Sequence, residues 1–198
     1  IYLKLSILSY LMIHFGEVGF LKVILGSMFS GKTSELLNIH RLYNLCDISC
    51  CVVNHSEDNR YDDKMLSSHD KIMIPCLSIN KIGDILDKDI LKDYQVFLIN
   101  EGQFFKGLYE TVLSLVEKHK KWVYVCGLDG DFQRNKFGEI LDLIPIADEV
   151  EKKKALCMGC KNGTTGIFTQ RISNEIGQKV IGINNYRSVC RKCFNKIT

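Results

Sequence analysis

An apolar run that leads directly into a glycine-rich loop constrains this chain more than any other feature. Residues 21–25 are Leu-Lys-Val-Ile-Leu, and residues 26–33 are Gly-Ser-Met-Phe-Ser-Gly-Lys-Thr. A strand followed by glycine, four spacers, glycine, lysine and threonine is the phosphate-binding loop (P-loop) pattern in its expected context. A turn that only joins a strand to a helix is the weaker alternative, because four fixed positions rarely match by chance and a strand precedes them.

The residue types in this loop suit a nucleoside triphosphate. Gly26 and Gly31 allow a turn tight enough for successive N–H groups to face one concavity, and the helix that begins near Lys32 adds the positive end of its dipole. We expect the Lys32 ammonium to reach the β- and γ-phosphates and the Thr33 hydroxyl to bind Mg²⁺.

The length and composition indicate a globular protein of modest size. The chain has 198 residues, of which 46% are hydrophobic and 25% charged, values ordinary for one domain with a small appendage. Its net charge is only +3, with acidic and basic residues interleaved. Because a nucleic-acid-binding surface is usually strongly basic, we expect no nucleic-acid partner.

Residues 1–15 are apolar but predict neither a membrane helix nor a signal peptide. A membrane span needs about 18 or more apolar residues, and the small-residue cleavage site of a signal peptide is missing. Because the first residue is Ile1, the chain is interpreted as a fragment, or as starting at Met12 with residues 1–11 read through from upstream. We treat residues 1–19 as an N-terminal extension and expect no membrane partner.

Alternating strands and helices predict an α/β fold with a parallel sheet covered on both faces. We expect it to occupy residues 20–154 as a P-loop NTPase-like nucleotide-binding domain. The expected strands after the loop are residues 49–53, 96–99 and 122–126. Apolar residues at helical spacing predict helices over residues 36–43, 82–91 and 108–116.

Polar residues follow two of these strands at the carboxyl edge, where α/β sheets bind ligands. Asp58 and Arg60 follow the second strand, where a solvated loop is the favoured interpretation, by about two to one. Asn100 and Glu101 follow the third, where P-loop proteins usually carry an acidic residue that helps to hold Mg²⁺. A carboxylate there is commonly an exposed turn residue, but its place on the same edge as the P-loop favours chemistry.

Two aromatic residues, Phe132 and Phe137, lie in a loop rich in glycine and charge that follows the fourth strand. Lone aromatic residues usually belong to a core. Two of them in a polar loop at the ligand edge are also suited to form the walls of a pocket for a flat ring.

Two C-x-x-C pairs predict a structural zinc site in residues 155–198. Cys157 and Cys160 are separated by 29 residues from Cys190 and Cys193. Paired C-x-x-C motifs are typical of a tetrahedral thiolate site. Two redox or unrelated cysteine pairs are the weaker alternative, at about one chance in ten, given a cytoplasmic setting and the absence of a thioredoxin-like context. The interval exceeds the usual ribbon spacing of about 15–20 residues, so we expect zinc to clamp the ends of a long loop that forms a hairpin or a lid.

The remaining five of the nine cysteines are interpreted as small buried hydrophobic residues without a role. They are Cys46, Cys50, Cys51, Cys76 and Cys126. Thiolate metal binding indicates a reducing compartment, so we expect a cytoplasmic protein. A nucleic-acid-binding zinc module on a P-loop motor is disfavoured, because it needs a basic groove with interleaved aromatic residues.

With these residues placed, the chain resembles the zinc-containing thymidine kinases of cells and large DNA viruses (type II). The matching segments are GSMFSGKT, DNRY, EGQFF, LDGDFQRNKFG, CMGC and YRSVCRKC, in the family's order over residues 20–194. The resemblance implies phosphorylation of thymidine, and of deoxyuridine, to the 5′-monophosphate with ATP and Mg²⁺, in nucleotide salvage for DNA synthesis. It also implies a homotetramer inhibited by dTTP.

The resemblance assigns roles residue by residue. Glu101 matches the family's catalytic base, which takes the proton from the 5′-hydroxyl of thymidine as that oxygen attacks the γ-phosphorus of ATP. The positions that match the family's ATP site are Gly26, Ser27, Met28, Phe29, Ser30, Gly31, Lys32, Thr33, Asp58, Asn59, Arg60, Asn100, Gly102 and Gln103. The positions that match its nucleoside site are Met28, Leu128, Phe132, Phe137, Thr169, Val180, Ile181, Gly182 and Tyr186. In the family, the loop between the cysteine pairs closes over the nucleoside through main-chain hydrogen bonds, and zinc anchors that loop.

The chain departs from the family at three places. The family normally has aspartate where Asn100 stands, proline where Ser27 stands, and about two residues fewer between Cys160 and Thr169. A neutral amide holds the water ligands of Mg²⁺ less well than a carboxylate. We therefore expect an active kinase with weakened Mg²⁺ retention, which Asp58 helps to offset; the alternative is a silent nucleotide-binding homologue.

Overall fold

The computed structural model describes residues 17–56, 65–67, 73–173, 177–178 and 182–196. Five residues expected at the site lie outside these ranges, namely Asp58, Asn59, Arg60, Val180 and Ile181. The first eight strands are β1 (Phe20–Gly26), β2 (Cys50–His55), β3 (Met65–Ser67), β4 (Met73–Pro75), β5 (Leu77–Ile79), β6 (Val96–Ile99), β7 (Trp122–Gly127) and β8 (Glu149–Lys153). Six of them form one sheet in the order β5-β2-β6-β7-β1-β8, and every pair in it is parallel. The predicted α/β fold class is confirmed.

The helices lie between these strands and at the C-terminal end. They are α1 (Lys32–Asn44), α2 (Lys88–Asp93), α3 (Leu108–Leu113) and α4 (Arg191–Asn195). A π-helical turn, Ser114–Lys118, continues α3, and 3₁₀ turns cover Ile82–Leu86, Gly102–Phe104, Ile140–Ile146 and Ile183–Asn185. None of the helices in the described residues is long and apolar enough to cross a membrane.

The core lies on both faces of the sheet. Val23 and Leu25 pack in one cluster with Phe97 and Phe105, while Ile24, between them in β1, packs in the other. Successive strand side chains point to opposite faces, so a strand covered on both sides is apolar at every position. This is why the apolar runs at β6 and β7 are continuous. Parallel pairing places the carboxyl ends of β1, β6 and β7 at one edge of the sheet.

Two of the predictions, one on a helix and one on cysteine burial, differ from the structure. The helix predicted over residues 82–91 is a 3₁₀ turn and a separate helix, α2, because Asp87 interrupts it with an extended ψ of 142°. Its side chain accepts a 2.9 Å hydrogen bond from the N–H of Asp89 and so caps α2 instead of continuing the first helix. The prediction that all five remaining cysteines are buried is wrong for Cys46, which is exposed just after α1, and holds only in part for Cys50 and Cys76.

Two antiparallel hairpins follow the sheet. The first pairs β9 (Ala155–Leu156) with β10 (Thr165–Gly166), and the second pairs β11 (Phe168–Arg171) with β12 (Tyr186–Val189). A small third core contains Cys157, Val189 and Phe194. The hairpins bring the two ends of the long interval between the cysteine pairs together, as the zinc prediction required.

Candidate active site

The glycine-rich loop joins β1 to α1 at the carboxyl edge of the sheet. Gly26 has a φ of 152°, and a Cβ there would lie 2.6 Å from the carbonyl oxygen of Lys153. Gly31 precedes α1 in the left-handed conformation, with a φ of 80°. Both positions therefore need glycine, one for close approach and one for backbone conformation.

Lys32 is the first residue of α1 and is folded back onto the loop. Its ammonium donates a 2.9 Å hydrogen bond to the carbonyl oxygen of Ser27, and the residue is 8% exposed. A buried ammonium beside a helix N-terminus creates a site for an anion, because the charge and the helix N–H groups act together.

Thr33 and Asn100 bring the loop and the end of β6 together. The Thr33 hydroxyl donates a 3.4 Å hydrogen bond to Asn100 Oδ1. Asn100 is 1% exposed, and its Nδ2 donates to Asn54 Oδ1 at 2.9 Å. The Cys126 thiol donates to the same Asn100 oxygen at 3.1 Å. A hydroxyl and an amide oxygen at this edge are hard ligands of the kind that Mg²⁺ prefers.

Glu101 stands next to Asn100 in a left-handed conformation, with φ 51° and ψ 44°. Its Oε2 accepts a 2.6 Å hydrogen bond from Gln103 Nε2. The other end of that amide, Gln103 Oε1, accepts a 2.9 Å hydrogen bond from the N–H of Leu128. Gln103 is 3% exposed, so this buried amide fixes the carboxylate relative to the loop after β7.

Aromatic side chains line the same edge. The Phe104 ring meets the Phe137 ring edge to face at a centroid distance of 5.5 Å, and His55, at the end of β2, lies 4.8 Å from Phe105. Phe104 and His55 were not predicted as site residues. Phe104 lies in the EGQFF segment that matched the family, and His55 lies two residues after the strand predicted over 49–53, so the sequence contained a signal for both.

The hairpins contact the glycine-rich loop directly. The Ser27 hydroxyl donates a 3.2 Å hydrogen bond to the carbonyl oxygen of Gly166, and the N–H of Met28 donates to Thr169 Oγ1 at 3.0 Å. Ser27 and Thr169 are 1% and 4% exposed. The structure thus brings Met28 and Thr169, two expected nucleoside contacts, to one place.

The Arg171 side chain contacts both Phe132 and Tyr186, two further expected nucleoside contacts. The Arg171 guanidinium lies 3.8 Å from the centroid of the Phe132 ring and donates a 2.7 Å hydrogen bond to the Tyr186 hydroxyl. It also donates to the carbonyl oxygens of Gly177 and Gln178. Arg171 was not predicted as a site residue, because no motif position marks it.

One more side-chain contact links the loop after β7 to the segment between β11 and β12. Asp131 Oδ2 accepts a 2.8 Å hydrogen bond from Gln178 Nε2, and Asp131 is 5% exposed. Gly182, also in that segment, is exposed and has a φ of 125°. Gln178 therefore contacts the loop after β7, which carries Leu128 and Phe132, two of the expected nucleoside contacts.

The four predicted cysteine ligands converge. The sulfurs of Cys157, Cys160, Cys190 and Cys193 all lie within 4.8 Å of one another. Cys160 Sγ is 3.4 Å from Cys193 Sγ and 3.6 Å from Cys190 Sγ. Tetrahedral zinc with Zn–S bonds of about 2.3 Å separates its sulfurs by about 3.8 Å, so the cluster fits zinc.

The environment of Cys157 favours its thiolate form. Burial opposes ionisation, but the N–H groups of Cys160, Cys190 and Gly159 donate to the sulfur and lower the pKa of Cys157 to about 6. The N–H groups of Cys160 and Cys190 lie 3.3 and 3.2 Å from it. Because thiolates are the form that binds metal, this geometry suits a structural cation.

A parallel sheet with a glycine-rich loop and a buried lysine at its carboxyl edge, a fixed carboxylate beside it and a four-cysteine cluster that fits a metal ion indicate a nucleotide-binding enzyme. The family model for thymidine kinase matches residues 19–194. The chain belongs to the thymidine kinase family.

Individual relatives agree with this family. The thymidine kinase of variola virus is 40% identical over 177 residues, which cover 89% of this chain and 97% of that protein. The vaccinia virus (strain Western Reserve) thymidine kinase is 39% identical over 177 residues, with the same coverage. The sheeppox virus thymidine kinase is 35% identical over 179 residues, 90% of this chain and 98% of that protein.

Proposed function

We propose that this chain transfers the γ-phosphoryl group of ATP to the 5′-hydroxyl of thymidine, and also of deoxyuridine, in nucleotide salvage for DNA synthesis. Membership of the thymidine kinase family supports the substrate class. The observation that carries the proposal is the position of Glu101 beside the glycine-rich loop. Glu101 directly follows Asn100, and the Asn100 side chain contacts Thr33 of that loop. A carboxylate and an anion-binding loop at one edge are what phosphoryl transfer to a hydroxyl requires.

The roles of the residues follow from their contacts. The Glu101 carboxylate takes the proton of the 5′-hydroxyl as that oxygen forms its bond to the γ-phosphorus and the bond to the ADP oxygen breaks. Gln103 holds Glu101 Oε2 at 2.6 Å and so orients it. Lys32 and the loop N–H groups bind the phosphate oxygens. Mg²⁺ bound with ATP supplies further charge stabilisation, and Thr33 and Asn100 would hold it.

The nucleoside is proposed to bind between the loop after β7 and the segment between β11 and β12. Leu128, Phe132 and Phe137 supply one apolar wall. Met28, Thr169 and Tyr186 supply the other, and main-chain groups of residues 180–182 bind the base. A main-chain strand offers a fixed donor and acceptor pattern, so a pyrimidine edge that fits it excludes the larger purines.

The remaining expectations complete the proposal. Asp58, Asn59 and Arg60 contribute to the ATP site, and zinc in the cysteine cluster anchors the second unit, residues 155–198, beside the nucleotide-binding unit, residues 20–154. The protein is proposed to be a cytoplasmic homotetramer that dTTP inhibits. A coupled assay with ATP and thymidine, deoxyuridine, deoxycytidine or deoxyguanosine tests the substrate class. Turnover with the first two alone is expected, and no turnover with thymidine would contradict the proposal.

A second candidate, a weakened or silent nucleotide-binding homologue, is favoured by one observation. Asn100 contributes an amide where a carboxylate would hold the water ligands of Mg²⁺ more strongly. Single-turnover measurements with radiolabelled thymidine and ATP separate the candidates, since binding without transfer would support the silent form. The Asn100→Asp variant should need less Mg²⁺ for half-maximal rate; an unchanged kcat and Mg²⁺ dependence would rule out weakened retention.

A further inference from the structure

We propose that Asn54 is a positioning residue of the phosphotransfer site. It holds the side-chain amide of Asn100 so that the oxygen, and not the NH₂ group, faces Thr33 and the divalent cation that accompanies ATP. This inference rests on the proposed function in placing Mg²⁺ at Thr33 and Asn100.

The contact between the two side chains is short and buried. Asn100 Nδ2 donates a 2.9 Å hydrogen bond to Asn54 Oδ1, and the two residues are 1% and 5% exposed. The sheet fixes their relative position, because Val53 pairs with Ile99 in register and the N–H of Asn100 donates to the carbonyl oxygen of Val53 at 2.8 Å. Asn54 directly follows Val53, and Asn100 directly follows Ile99, so the two asparagines lie side by side at the ends of adjacent parallel strands.

An asparagine at position 100 needs this orientation in a way that an aspartate would not. The two ends of a carboxylate are equivalent acceptors, whereas an amide has one acceptor end and one donor end of nearly the same shape. Rotation of the Asn100 amide by 180° would therefore place two N–H donors toward the Thr33 hydroxyl and a cation. The orientation of this amide decides whether position 100 attracts or repels the metal.

Three neighbours select the same orientation. Asn54 Oδ1 accepts from the nitrogen end, and the Thr33 hydroxyl and the Cys126 thiol donate to the oxygen end at 3.4 and 3.1 Å. A thiol is a weak donor, and the Thr33 hydroxyl can rotate to accept instead. The Asn54 acceptor is therefore the strongest determinant of which end of Asn100 faces the loop.

The experiment compares Asn54→Leu, which removes the acceptor but keeps the same branching of the side chain, with Asn54→Asp, which keeps an acceptor. Mn²⁺ binding to the complex of each full-length protein with ATP is measured by electron paramagnetic resonance, alongside the Mg²⁺ dependence of thymidine phosphorylation. We expect Asn54→Leu to raise the Mn²⁺ Kd and the Mg²⁺ half-saturation by about fivefold to tenfold, the usual effect of losing one buried hydrogen bond. The KM for thymidine should stay unchanged, and Asn54→Asp should stay within about twofold of the unmodified chain.

Controls separate positioning from a general loss of stability. Tyr43→Phe removes another buried hydrogen bond, the 2.6 Å contact with the Tyr124 hydroxyl, at the far end of α1 from Thr33, and should leave Mn²⁺ binding unchanged. Asn54→Ala provides a smaller acceptor-free variant if leucine prevents folding. Unchanged Mn²⁺ binding in both acceptor-free variants, or an equal loss in Asn54→Asp, would overturn the inference. Absence of thymidine phosphorylation in the unmodified chain would contradict the proposed function alone, because the Mn²⁺ measurement needs only ATP.

Discussion

The N–H of Met28, in the glycine-rich loop, donates a 3.0 Å hydrogen bond to the hydroxyl of Thr169, which lies 141 residues later in β11. The Ser27 hydroxyl makes a parallel contact, at 3.2 Å, with the carbonyl oxygen of Gly166 in β10. The hairpins that carry the cysteine cluster therefore hold two consecutive residues of the anion-binding loop. These two hydrogen bonds connect the hairpins of the cysteine cluster to the glycine-rich loop.

Thr169→Val tests this connection, because it keeps the side-chain shape and removes the acceptor for the Met28 N–H. We expect the Kd for ATP, measured with a fluorescent ATP analogue, to rise by about threefold to tenfold, in line with the loss of one hydrogen bond. Thr169→Ser retains the hydroxyl and should bind ATP nearly as well as the unmodified chain. Equal affinities of the valine and serine variants would show that the hydrogen bond does not position the loop.

Loss of metal should affect stability and the phosphate site together. Cys193→Ser removes one thiolate from the cluster, so zinc content measured by atomic absorption should fall from about one ion per chain to nearly none. Because the free energy of metal binding contributes to folding, Tm should fall by roughly 10 °C or more. ATP affinity should decrease as well, since the hairpins hold Ser27 and Met28.

Cys46→Ser is the matched control for this change. Cys46 is exposed and does not belong to the cluster, so its replacement should leave zinc content and Tm unchanged. Full zinc content in Cys193→Ser would contradict the assignment of the metal centre.

The strands that could be predicted are those buried on both faces. β6 and β7 are continuous apolar runs, Val-Phe-Leu-Ile and Trp-Val-Tyr-Val-Cys-Gly, and each lies between two other strands. β8 was missed because it is an edge strand of sequence Glu-Val-Glu-Lys-Lys, whose charges form ion pairs. Lys22 on β1 lies 3.2 Å from Glu149 and 3.3 Å from Glu151. Such cross-strand partners are determined by pairing in the sheet, which local apolar patterning does not encode.

The candidate site shows the same difference between features set by local sequence and contacts that form only in the folded chain. The glycine-rich loop and the four cysteines were predictable because each depends on residue types at fixed local spacing. The contacts of Arg171 with Phe132 and Tyr186, and of Asn54 with Asn100, join residues on different elements. They form only when the sheet and hairpins are assembled, so no local sequence pattern marks them.

Glu101→Gln tests the proposed base with little change in geometry. Its amide oxygen can still accept the hydrogen bond from Gln103 Nε2, which measures 2.6 Å in the unmodified chain, but it cannot take a proton from the 5′-hydroxyl. We expect kcat to fall by about 10² to 10⁴, the usual range for loss of a general base, while the Kd for thymidine stays within about twofold.

Gln103→Leu provides the companion measurement, because it leaves the Glu101 carboxylate in place and removes its orienting partner. A smaller decrease in kcat is expected for this variant than for Glu101→Gln. A kcat close to that of the unmodified chain in Glu101→Gln would show that another group accepts the proton.

The contact between Asp131 and Gln178 gives a prediction specific to the nucleoside. Asp131 Oδ1 accepts from the N–H groups of Gln133 and Asn135, at 2.9 Å each, so the carboxylate is fixed before it binds Gln178 at 2.8 Å. Gln178→Glu places a second carboxylate against it. Since like charges at this distance repel, residue 178 should be held less firmly against the loop after β7, which carries proposed nucleoside contacts. We expect the KM for thymidine to rise by about tenfold to 100-fold, the usual effect of one lost hydrogen bond to a charged group, with the KM for ATP unchanged.

Salt and a neighbouring substitution distinguish repulsion from other causes. Raising the ionic strength should partly restore thymidine binding in Gln178→Glu, because position 178 is exposed and salt screens an exposed charge. The restoration should be incomplete, since Asp131 is buried. Gln133→Glu adds the same charge to the exposed side of the same loop and should leave both KM values close to those of the unmodified chain. If Gln178→Glu and Gln133→Glu raised the thymidine KM equally, the effect would come from the added negative charge in general, and the Asp131–Gln178 hydrogen bond would have no specific part in holding the nucleoside.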